Sequence, residues 1–138
     1  MTDVGLSGRA VTRSEVVGYP DTPIAFGTVI AVAGERTDEL WALIGMAPPA
    51  ATKLANLQFH IERPALERLG AVTAPINLDG SFDLTLRAGP QLLCLSGIVA
   101  NPAVGGMEVV GCVEGVIPDA PAFLSLSYGD GGVMLIGP

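Results

Sequence analysis

The side chains able to do chemistry are few, and their spacing excludes most catalytic schemes. His60 is the sole histidine. It shares a polar side with Gln58 and Glu62 in an alternating run whose apolar side is Leu57, Phe59 and Ile61, and in that place it reads as a solvated polar residue. A Ser-His-Asp or Cys-His nucleophile system would have to use this histidine, and no Gly-x-Ser-x-Gly turn is present to carry the serine. Cys94 and Cys112 fall on consecutive expected strands. They either bridge those strands as a disulfide, worth roughly 3 kcal/mol in the chain-entropy model, or remain two buried thiols acting as small hydrophobes. Two cysteines and a distant histidine lack the close ligand pairs of a zinc site, so no metal and no cofactor is expected.

The carboxylates point to turns rather than to a site. Asn77, Asp79, Ser81 and Asp83 place oxygen side chains at alternate positions around Gly80, as a calcium loop does, but the terminal bidentate Glu is missing and turn chemistry accounts for the same residues. Asp130-Gly131-Gly132 reads the same way, and nothing selects Glu62 and Glu67 as an acid pair for glycoside cleavage. The glycines at 105, 106, 129, 131 and 132 are followed by no Lys-Ser/Thr, so they form no phosphate loop. Of Trp41, Tyr19 and Tyr128, the first and last are the candidates for stacking against a sugar or another small ligand.

The elements that must position these residues are strands. Among 138 residues, 18 glycines and 11 prolines recur every few positions, and each interior Gly costs a helix roughly 1 kcal/mol and each Pro about 3. Ser81 to Arg87 alternates without error, with Phe82, Leu84 and Leu86 on one side, the pattern of a strand wet on one face. Pairing Ile76 with Phe82 across a three-residue loop, Leu78-Asp79-Gly80, predicts a hairpin with Gly80 in the left-handed region. Ile24 to Val32 and Gln91 to Val99 are nearly unbroken apolar runs and predict strands buried on both faces. Gly8 to Arg13, 54–62, Met107 to Ile117, Phe123 to Tyr128 and Val133 to Ile136 predict further strands. Residues 37–46, with Thr37 as a candidate N-cap, fit a strand or a short helix. Pro64 to Leu69, closed by Gly70, predicts a helix of about two turns. The fold class is therefore all-β: one domain over residues 1–138, an antiparallel β-sandwich of about seven to eight short strands, with one short helix near 64–69 and residues 35–75 as an insertion between strands.

Several stretches resemble the carboxypeptidase regulatory-like, or transthyretin-like, β-sandwich. They are Gly8-Arg-Ala-Val-Thr, the Pro23 to Val32 run, Leu78-Asp-Gly-Ser-Phe-Asp-Leu-Thr-Leu86, and Gly89-Pro-Gln-Leu-Leu-Cys-Leu95. Two departures stand out: Gln91 occupies the place of a usual aromatic, and residues 35–75 exceed the family's compact middle. The resemblance implies a non-catalytic module that stabilises, spaces or binds, and it brings no catalytic residue with it.

Composition narrows the partners. Hydrophobic residues are 49% and charged residues 15% of the chain, which excludes a disordered linker. The net charge of −7 provides no basic footprint for nucleic acid and no attraction to anionic lipid. No apolar run is long enough to span a membrane, and Met1 to Arg13 has no signal-peptide core. With no catalytic set, the expectation is a non-enzymatic structural or interaction protein: a subunit contributing protein contacts to a homo- or hetero-oligomer, at a virion or extracellular surface. The alternative is a small-molecule or carbohydrate-binding module of a secreted protein.

Overall fold

The computed structural model describes residues 3–14, 16–24, 27–96, 106–129 and 132–136. Among them, ten strands form two sheets. The first sheet holds β1 (Asp3–Thr12), β2 (Thr22–Pro23), β6 (Ser81–Arg87), β9 (Ala122–Gly129) and β10 (Gly132–Ile136), in the order β10-β9-β1-β2 with β6 also paired to β1. The second runs β4 (Phe59–Glu62), β8 (Gly106–Ile117), β7 (Gly89–Ser96), β3 (Thr28–Ala33), β5 (Val72–Pro75). All pairings are antiparallel except β1 with β9, which run parallel from Leu6↔Ala122 to Thr12↔Tyr128. The all-β sandwich class is thus present, with one parallel seam through the first sheet.

Alternation explains the space between the sheets. Val4, Leu6 and Ala10 of β1, Phe82, Leu84 and Leu86 of β6, and Leu124 and Leu126 of β9 meet Val29 and Ala31 of β3 and Leu93 and Leu95 of β7. The first strand begins at Asp3, well before the expected Gly8, because Val4 and Leu6 continue the inward-facing set. Ala25 and Phe26, at the start of the expected 24–32 strand, lie outside the described residues, as do Asn101, Pro102, Gly105, Asp130 and Gly131.

A third layer covers the outer face of the second sheet. Ile30 and Val32 of β3, Leu92 and Cys94 of β7 and Val109 and Cys112 of β8 pack there against Leu40, Trp41, Leu54, Leu66 and Leu69. These last come from α1 (Thr37–Leu43), a 3₁₀ helix (Ala51–Asn56) and α2 (Arg63–Arg68). The 35–75 stretch is therefore the reason β3 and β7 can be apolar on both faces. Residues 37–46 take the helical alternative. Thr37 is not the N-cap: it opens the helix, and its hydroxyl donates to the Gly34 carbonyl at 3.1 Å. Both helices end in Schellman turns, Met46 N–H to Trp41 C=O and Ala71 N–H to Leu66 C=O at 3.0 Å each, with Gly45 and Gly70 at positive φ. The expected strand over 54–62 is confined to its last four residues, since Leu54 is drawn into the 3₁₀ helix to fill the outer core.

The expected 72–87 hairpin does not form. β5 pairs with β3 in the second sheet and β6 with β1 in the first, so the turn between them crosses from sheet to sheet. Gly80 has the expected positive φ, 87°, and the turn closes through Asn77 N–H to Ser81 C=O at 2.9 Å. Ile76 and Phe82 still share a core, but across the sandwich rather than along a ladder. A second crossing follows at once, because Gly89-Pro90 opens β7 and Ala88 alone separates it from β6. That corner shapes the site.

Candidate functional site

At the end of the sandwich where β6 crosses to β7 lies a groove of about 630 Å³. Pro90, Leu92 and Val116 are among its apolar walls, and Glu35, Arg87 and Glu114 bring charge to it. A volume of that size with few polar groups among apolar walls is the form of a small-ligand site. A smaller hollow of about 280 Å³ adjoins it and shares Glu35, Arg87 and Gln91. Arg87 and Glu35 stand between the two, their Nη1 and Oε1 atoms 3.7 Å apart.

Gln91 lies behind this wall. It occupies the same face of β7 as Leu93 and Leu95, only 6% exposed, and it lines both hollows. Its Nε2 donates to the Arg87 carbonyl at 3.1 Å. Because a carbonyl only accepts, that bond turns the carboxamide oxygen the other way, and Oε1 has no hydrogen-bond partner among the described residues. Glu114, across the groove on β8, has neither an ion pair nor a hydrogen bond among them. Glu114 lies opposite Leu92 and shares its face with Pro90 and Val116, whereas the Gln91 side chain faces the other side of the sheet, so the groove offers one carboxylate and an apolar wall with a guanidinium fork at the corner.

His60 lies elsewhere, on edge strand β4. Its Nδ1 is 2.6 Å from Glu108 Oε1, directly opposite on β8, and its Nε2 is 2.8 Å from Glu62 Oε1 on its own strand. Both ring nitrogens can donate at once only in the imidazolium form. The Glu62 bond, then the Glu108 bond, hold its pKa above the ordinary histidine value. The side chain is on the surface, as the alternation implies, and about 39% exposed.

Cys94 and Cys112, opposite each other on β7 and β8, are joined in a disulfide with Cα atoms 4.0 Å apart, buried under the third layer. Trp41 is not available to a ligand: it is 5% exposed and meets Phe59 edge to face at 6.3 Å, because α1 turns it into the outer core. Tyr128 is half-buried against the inner core at the end of β9. Neither lines the groove. Asp79 accepts from the Ser81 N–H at 2.9 Å and its hydroxyl at 2.5 Å, bonds that hold its carboxyl below the usual range, and Asp83 accepts from Ser7 at 3.1 Å. These are turn and sheet contacts.

No family model matches the chain, and no curated protein does. Among solved structures, it is similar to a candidate carbohydrate binding protein from Pseudomonas aeruginosa. The TM-score is 0.53 at 14% identity, over 91% of this chain and 88% of that one. At that identity the likeness extends to the fold.

Sequence reading marked Gln91 only as a departure from an aromatic, and it passed over Glu35, Arg87 and Glu114. The one available signal was a glutamine inside an apolar run, since a buried amide is uncommon unless something bonds it. The groove itself arises from a sheet crossing that no local pattern encodes.

Proposed function

We propose that this protein is a non-enzymatic binding module whose ligand, a saccharide, occupies the β6–β7 groove. The observation that carries the reading is a concavity in which Pro90, Leu92 and Val116 form an apolar wall on one face of the second sheet, with the Glu114 carboxylate on that face and Arg87 at the corner. Sugar hydroxyls donate and accept in turn: the Glu114 carboxylate accepts from them, and the Arg87 fork donates to them. Pro90 and Val116, the latter 77% exposed, supply apolar surface for the C–H face of a ring. The fold likeness to a candidate carbohydrate binding protein supports the same reading. The resemblance to carboxypeptidase regulatory-like modules supports the non-enzymatic part of the reading alone, since it implies a module that stabilises, spaces or binds. The buried disulfide favours an oxidising, extracellular setting, and among the described residues no helix is long and apolar enough to cross a membrane.

Amide chemical-shift mapping with a panel of neutral oligosaccharides tests this. Shifts are expected at Ala33, Gly34, Leu92 and Gly115, with affinity lowered about tenfold in Glu114→Leu by loss of roughly one hydrogen bond. Shifts confined to residues outside the groove, or no saccharide bound at millimolar concentration, would remove the reading.

A second reading, a subunit contributing contacts to a homo- or hetero-oligomer, is favoured by the loop after β1. Val16, Val17 and Tyr19 there are 58%, 100% and 70% exposed. That apolar tip lies at the end of β1 opposite Asp3, which lines the smaller hollow.

A further inference from the structure

The register of β7 with β8 fixes where the backbone groups of β8 point. Opposed residues in an antiparallel ladder alternate between hydrogen-bonded pairs, with Cα atoms about 5.5 Å apart, and non-hydrogen-bonded pairs at about 4.5 Å. Cys94 and Cys112 are opposed with Cα atoms 4.0 Å apart, so theirs is a pair of the second kind. The register continues from there to Gly89↔Ile117 without a shift. Val113, Gly115 and Ile117 therefore bond to β7, and the N–H and C=O groups of Glu114 and Val116 point to the opposite edge of β8.

That edge is taken only in part. β4 pairs with it from Gly106 to Val109, and the 3₁₀ helix meets β8 at Gly111, where a Cβ would collide with the Ala55 carbonyl. Beyond them, among the described residues, no strand pairs with the edge and no loop backbone bonds to Glu114 or Val116. Both side chains are exposed and stand on the outer face of the sheet. Glu114 has no ion pair and no hydrogen bond among those residues. Unpaired backbone donors and acceptors in line, flanked by an aliphatic and an acidic side chain, are a template for one more strand.

We propose that this edge of β8 docks an extended segment of another protein, with a lysine or arginine opposite Glu114 and an aliphatic residue opposite Val116. Backbone bonds supply the affinity and the two side chains the choice of partner. In an antiparallel pairing the aliphatic residue comes two positions before the basic one, since alternate residues share a face. The net charge of −7 opposes a second copy in that place and attracts a basic segment. The proposal stands apart from the saccharide reading, which uses the wall of the groove and not the backbone of its rim.

Amide chemical-shift titration of the full chain with a capped peptide, all threonine apart from an isoleucine two positions before a lysine, tests it. Shifts are expected from Val113 to Ile117. Methylating the isoleucine and lysine amide nitrogens of the peptide should weaken binding about tenfold, because those N–H groups face β8. Exchanging the lysine for glutamate should weaken it roughly two- to fivefold at low salt, a difference lost at high salt and in Glu114→Gln. Val116→Pro removes an edge N–H without touching the ladder to β7, and should weaken binding as methylation does; if that variant fails to fold, the methylated peptide still decides. Equal binding of the methylated peptide overturns strand addition, and equal binding of the lysine and glutamate peptides at low salt overturns the basic partner. No shift at millimolar peptide overturns the whole proposal, whether or not a saccharide binds in the groove.

Discussion

At the scale of single residues, an amide and an imidazole are held by partners that only the structure shows. Gln91 was visible in the sequence as a polar interruption, but its meaning depended on the Arg87 carbonyl taking one end of the amide and leaving the other. His60 was legible as a surface residue from alternation alone. Its clamp was not, because Glu108 is 48 positions away and meets it only through the β4–β8 register. Since its folded pKa is raised, His60 stabilises the fold fully below its unfolded value of about 6.5, and that contribution is lost as pH rises through the folded value. The urea midpoint of the wild type should therefore exceed that of His60→Gln at about pH 6 and approach it at about pH 9. An imidazole NMR titration at or below the ordinary value, or a midpoint gap that widens with pH, would contradict the clamp.

At the scale of elements, strand interiors were readable and strand partners were not. Phe82, Leu84 and Leu86 identify the buried face of β6, and the glycine turn before it is where the sequence placed it. The same pattern misled on pairing. β5 and β6 adjoin in sequence, yet each gains more by completing a different sheet, so the apolar faces meet across the core. The glycines of β8, which looked like interruptions, sit inside one continuous strand. Gly111 admits the Ala55 carbonyl so closely that a Cβ would collide with it and would stand 2.8 Å from the Val133 side chain. Gly5 on β1 has open space in the same direction. Gly111→Ala should lower unfolding free energy by about 1–3 kcal/mol through overpacking, and Gly5→Ala should leave it unchanged or slightly higher. Equal effects of the two in a denaturant titration would mean that the 3₁₀ helix does not lie on β8 as described.

At the scale of the whole molecule, the ends of the sandwich differ: a charged groove beside the β6–β7 corner, and an apolar loop tip beyond the end of β1. If that tip joins copies of the chain, light scattering at micromolar concentration should give a mass above the 14.1 kDa monomer, returned to the monomer value by Val17→Asp. A wild type that stays monomeric, with no second protein bound, removes the assembly reading and leaves the groove untouched. The sequence by itself determined the class of the fold, the wet and dry faces of most strands, the closing turn of α2 and the net acidity, because periodicity, breakers and net charge are local or additive properties. Only the tertiary structure decided which strands pair, which layer the 35–75 stretch builds, and that Glu35, Arg87, Gln91 and Glu114 share one groove. Those outcomes depend on burying several apolar faces at once, and no segment carries that information alone.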